Sequence, residues 1–206
     1  MSTAYFPPVQ YISKFKEYGQ ITMEMMENFG KQSYRNRCRI MTANGLLDLT
    51  VPVLKANSGL PVKEMQISYA TRWDRIHRRA IVSAYTSAPY YEYYIDDFLA
   101  VIEKRHRWLL DLNAEILEMV LDILHITTRA VPSTEFIREE EIASGAFPEV
   151  LDFRNTIHPK AAHAAEDPAF SAKPYRQVFS DRYPFAPNLS IMDLLFCEGP
   201  DSLHYL

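Results

Sequence analysis

Three features of the chain predict an α/β fold: a mixed sheet with an N-terminal βαβ unit and a β-hairpin, flanked by helices. The first is a short extended segment, Thr3 to Phe6, stopped by Pro7-Pro8 and followed by a helical pattern and a second extended segment, Ile21 to Met26. Strand, turn, helix and strand in that order favour parallel pairing. The second is Asn44-Gly45 between two alternating apolar segments, a hairpin signal because both residues tolerate positive φ. The third is a series of helical patterns with capping signals, from Thr71 to the end of the chain.

In the first helix, Val9 to Tyr18, the spacing turns Val9, Ile12, Phe15 and Lys16 inward, and Gly19 closes it. A two-residue Asn44-Gly45 loop would pair Ala43 with Leu46, Thr42 with Leu47, Ile40 with Leu49 and Cys38 with Val51. That register points Cys38 and Ile40 to the core. Arg37, Arg39, Met41, Asp48 and Thr50 fall on the opposite face. After a loop through Asn57-Ser58-Gly59-Leu60-Pro61, Val62 to Tyr69 reads as a strand. Thr71, with Asp74 three residues on, opens a helix to about Tyr85 whose inward stripe is Trp73, Ile76/His77, Ala80 and Ala84. Asp96 to about His125 is a long helical stretch with a break near Asn113. Thr127 to Val131 returns to the sheet, and Phe136 to Ala143 is helical. From Gly145 to Ala186 the pattern loses its period, which marks a long loop rather than a second domain. Ser190 to Asp193 then caps a last helix, stopped by Gly199 and Pro200.

Composition bounds the class. A length of 206 residues suits one domain, residues 1–206, and 48% hydrophobic with 23% charged residues suits a packed globule. The net charge of -4 argues against nucleic acid or an anionic membrane as partner. Cys38 and Cys197 form no CxxC and read as reduced core residues. No secretion signal opens the chain, and no apolar run approaches the ~18 residues of a membrane span, so no membrane insertion and a cytoplasmic location are expected. With only 6 glycines there is neither GxGxxG nor GxxxxGK[ST], so a phosphate would be held by side-chain cations or a helix N-terminus.

The densest polar run, Glu27 to Arg39, carries the candidate site. Lys31, Arg35 and Arg37 are expected to form an anion clamp, with Arg39 beside them, because guanidinium forks pair bidentately with phosphate or carboxylate. Asn36 is the orienting group, and Glu27 or His77 the base. The competing reading is a solvated loop whose cations pair with Glu24 and Glu27. His77, one turn after Trp73, suits acid–base chemistry near neutrality, although such a histidine is more often a satisfied core residue. His158, His163, Glu166 and Asp167 fit no known metal-ligand spacing, so no metal site is assigned, and no cofactor is indicated. Tyr90, Tyr91, Tyr93 and Tyr94 form an aromatic cluster suited to packing or an interface. No GxSxG elbow exists, and Cys38 faces the core.

Taken together, AYFPPVQYISKF, ENFGKQSYRNRCRI followed by LTVPV, WDRIHRRAIVSAYTSAPYYEYY, LDLNAEILEMVLDIL and LSIMDLLFCEG make the chain one that resembles the WbqC-like protein family of bacteria. The resemblance implies a role in surface-polysaccharide assembly, on an activated sugar. The leading hypothesis is therefore a transferase acting on an activated sugar or other anionic small molecule. It would bind where the Pro7-Pro8 turn and the start of its helix meet the Lys31–Arg37 loop. The alternative is a non-catalytic binding or scaffold protein of envelope assembly, and a homo-oligomer remains a third reading.

Overall fold

The computed structural model describes residues 1–54, 59–160 and 164–206, so Asn57-Ser58 of the expected loop and His163 lie outside the described residues. The helices are α1 (Val9–Glu17), α2 (Trp73–Tyr85), α3 (Tyr91–Glu103), α4 (Leu109–Ile123), α5 (Glu139–Ala143) and α6 (Ile191–Glu198). The strands are β1 (Ile21–Met23), β2 (Arg37–Thr42), β3 (Gly45–Thr50) and β4 (Ala130–Pro132). The class is mixed α/β, with the strands in two separate two-stranded sheets.

α6 sits at the centre. Every residue from Ile191 to Cys197 is buried, and the helix packs against α1, α3 and β2. Its one buried acid, Asp193, is satisfied there by the Tyr85 and Tyr175 hydroxyls, which donate at 3.0 and 2.7 Å. Ser190 caps it by accepting the Met192 N–H. Gly199 ends it at φ +52, a conformation that favours glycine, and a Cβ there would overlap the Tyr90 ring. Around this axis Phe6 stacks on Phe98, and Phe98 and Tyr85 each meet Phe196, with centroids at 5.4, 5.2 and 5.0 Å. Each ring of this kind contributes about 1.5–3 kcal/mol by leaving water.

The expected βαβ unit forms only in part. Residues 3–6 make no strand: the backbone bends at Tyr5 and Phe6, Phe6 takes φ +37, and Tyr5 N–H donates to the Tyr34 carbonyl. The parallel partner of β1 is β4, with Ile21, Thr22 and Met23 opposite Ala130, Val131 and Pro132. The return of the chain near residue 130 is thus where the sequence places it. The hairpin differs by two residues: Thr42 pairs with Gly45 and Cys38 with Leu49. Within the hairpin only Gly45 takes a positive φ, +98, so Ala43 and Asn44 form the two-residue turn and Gly45 opens β3 opposite Thr42. A shift of two keeps every side chain on its face, so Cys38 and Ile40 are buried as expected.

Three further expectations need correction. Residues 62–69 make a single 3-10 turn and isolated bridges rather than a strand. The long helix breaks at 104–108, where Arg105 has φ +59, and Asn113 lies inside α4. On α1, Lys14 is the fully buried lysine and Lys16 points outward. The segment 145–186 is irregular throughout its described part, and Asp167 on it ties to Lys14 at 2.9 Å beneath the Phe153 ring.

Candidate functional site

The expected cationic clamp is divided among three places. Arg35 lies against Glu27, to which it donates from Nε at 2.8 Å and from Nη2, and Nη2 also donates to the Ser2 hydroxyl at 2.9 Å. Arg37 and Arg39 share Asp48 on the outer face of the hairpin, at 3.3 and 2.7 Å. Lys31 is exposed in the turn before Ser33. Asn36 is pinned to the Val51 backbone, donating from Nδ2 to its carbonyl at 2.8 Å. The start of α1 is occupied as well: Val9 N–H donates to Leu189 O and Gln10 N–H to Asn188 Oδ1. Its amides therefore have partners already, contrary to the anion site expected at this helix start.

His77 is a buried neutral imidazole. Its Nδ1 lies 2.8 Å from the Tyr5 hydroxyl, and the ring also hydrogen-bonds to the Thr50 backbone. Burial lowers its pKa to about 4. The neutral ring gives its single N–H to the Thr50 backbone, which leaves Nδ1 to accept from the Tyr5 hydroxyl. None of the clefts described here is lined by His77.

What the fold does assemble is a charged cleft at the open end of β1. A recess of about 10 Å³, room for about one water, is lined by Ser2, Tyr11, Ser33, Tyr34, Arg35 and Arg154. Met1, Phe153 and Arg154 also line a neighbouring cleft of about 310 Å³, with Ile21, Thr22, Glu24, Glu149 and Asp152. Burial raises the Tyr34 phenol to about 12.

Two arginines are held rigidly at this junction. Arg154 donates from Nε and Nη2 to Asp152 at 2.9 and 2.5 Å and from Nη1 to Ile137 O at 2.8 Å. Burial alone would raise the Asp152 pKa; the Arg154 hydrogen bonds and charge outweigh it and hold the carboxyl below its usual range. Glu24 lies beneath, 5% exposed. Its Oε1 accepts from Met26 N–H and the Ser133 hydroxyl, each at 2.8 Å. Its Oε2 is 3.9 Å from Arg154 Nη1.

Of these groups the sequence singled out Arg35, Glu27 and, as a possible pair for the cations, Glu24. Arg154 and Asp152 sit in the aperiodic segment, where no spacing marks them. Among the described residues no group of three or more His, Cys, Asp or Glu side chains is placed to hold a metal, and no helix is long and apolar enough to cross a membrane.

The profile of the WbqC-like protein family matches residues 3–205. The chain belongs to the WbqC-like protein family. The match includes Ser33, Arg35, Asp152 and Arg154 of the charged cleft, though not Met1 and Ser2. A similar relative is the "uncharacterized protein Rv1507c" of Mycobacterium tuberculosis, 28% identical over 98% of this chain and 92% of its own. No solved structure matches.

Proposed function

We propose that this WbqC-like chain is a transferase acting on an activated sugar or other anionic small molecule, bound in the cleft between β1 and the 149–154 segment. The reading is carried by Arg35 and Arg154, two guanidinium groups that line the recess beside the cleft, Arg154 lining the cleft as well, each fixed by a carboxylate. Fixed forks offer donors without a large ordering cost, which favours them as anchors for phosphate or sugar oxygens. Phe153 and Tyr18 add apolar wall for a sugar face.

In this reading Glu27 positions Arg35 and His77 supports Tyr5, while Glu24 is the carboxylate left to meet the bound molecule. The setting in surface-polysaccharide assembly comes from the family resemblance. A binding or scaffold protein is the second reading, favoured by Phe136, Val150 and Leu151, apolar side chains 48, 42 and 61% exposed beside the same cleft.

A thermal-shift panel of nucleotide sugars and sugar phosphates tests the proposal. A ligand at 100 times its Kd adds ~2.7 kcal/mol of stability. The expected result is a raised Tm that falls back in Arg154→Gln. A flat panel sinks the transferase reading and leaves the scaffold.

A further inference from the structure

Glu24 is placed unlike any other carboxylate of the cleft. It follows β1, is 5% exposed, and lines the cavity of about 310 Å³. Two donors, Met26 N–H and the Ser133 hydroxyl, converge on Oε1 alone. Among the described residues nothing hydrogen-bonds Oε2. The nearest cation is Arg154 Nη1 at 3.9 Å, beyond hydrogen-bond reach, and that nitrogen donates to Ile137 O. Both Asp152 oxygens are taken by Arg154. Oε1 is taken and Oε2 lines the cleft, so Oε2 is the oxygen of this carboxylate on which a donor from a bound molecule can land.

The rim favours a donor at the same place. Glu149 stands at the mouth of the cleft, and Glu139, Glu140 and Glu141 open the neighbouring α5, against two cations that line the cleft, Arg154 and the Met1 α-ammonium, the latter within the field of Glu24 and Asp152. The field favours a cation at Glu24 while Arg35, in the recess, favours an anion.

We infer that the bound molecule carries a protonated amine that donates to Glu24 Oε2, so the substrate class is an aminated sugar phosphate. The inference rests on the small-molecule reading of the cleft given above and adds the group that this end of it selects. An ammonium against a carboxylate is a charge-assisted hydrogen bond, stronger than the neutral bond a hydroxyl would make.

Titration of the wild-type protein with glucosamine 1-phosphate and with glucose 1-phosphate, followed by isothermal calorimetry, separates the ideas. The two differ only in an amine against a hydroxyl. The expected result is binding of the amino sugar about five-fold tighter or more, since charge-assisted bonds are worth more than neutral ones. Glu24→Gln keeps an oxygen for Met26 and Ser133 and should abolish the preference. Equal binding of both compounds overturns the inference and leaves the cleft as a sugar-phosphate site. A preference that survives in a folded Glu24→Gln protein, checked by circular dichroism, removes Glu24 as the receptor. Binding of neither overturns both this inference and the reading beneath it. The comparison between the two compounds decides even if the variant does not fold.

Discussion

The Tyr5 hydroxyl donates to Nδ1 of His77 at 2.8 Å, joining the opening segment to the middle of α2 across 72 positions of sequence. It makes the imidazole part of the core, and it has a pH signature.

A histidine depressed from 6.5 to about 4 is protonated in the unfolded chain over a range where the folded chain stays neutral. Its stabilising effect is therefore complete above pH 6.5 and is lost as the pH falls towards 4, by an amount on the order of 3 kcal/mol. Urea midpoints of the wild type and His77→Gln should diverge in slope across that window. Parallel slopes would mean that the ring titrates alike in both states.

Glu27 and Arg35 are 7 and 13% exposed, so removing one strands the other. Glu27→Ala is expected to cost about 3 kcal/mol, and Glu27→Ala with Arg35→Met to regain most of it. A double-mutant cycle by chemical denaturation reads the coupling. Additive losses would contradict the pairing.

Lys14, fully buried, depends on Asp167, with Glu17 a lesser partner at 3.2 Å. Asp167→Ala should cost about 3 kcal/mol and Lys14→Met in addition should restore stability. Because Asp167 also accepts from Gln10 at 2.8 Å, the single variant should open the 145–186 segment to proteolysis before the core unfolds. Unchanged cleavage would show the segment held by other contacts.

Gly199→Ala places a Cβ at φ +52 and into the Tyr90 ring. The expected loss is about 2 kcal/mol or more, seen as a lowered Tm. Tyr90→Ala in the same chain should return the steric part of that loss, leaving the backbone strain.

Much of this architecture was legible because it is local. Ser190 and Gly199 mark both ends of α6, and alternation alone puts Cys38 and Ile40 inward. What failed depended on distant partners. Residues 3–6 look like a strand, yet the strand that pairs with β1 lies past residue 130. Lys14 reads as a surface residue until Asp167 arrives from the aperiodic segment to neutralise it. The cationic run reads as one clamp because its members are neighbours in sequence. Alternation sends Arg37 and Arg39 to Asp48, while Arg35, in the 3-10 turn before β2, meets Glu27. Arg154 gives no sequence signal, since an irregular segment offers no period against which to notice it.

The last turn-and-helix of the chain is bound to its beginning: Ile191 N–H donates to Pro7 O, Ser190 Oγ to Phe6 O, and Val9 N–H to Leu189 O. A ribosome delivers those two ends at opposite times. Segment 6–9 therefore emerges long before its partners, and its apolar rings must wait in contact with whatever else is present. This part of the core closes only once residues 189–191 have been made, and until then the early segment needs shelter from its neighbours. In a cell, yield at limiting chaperone supply should track the integrity of residues 189–191 and the helix they open more closely than that of the cleft.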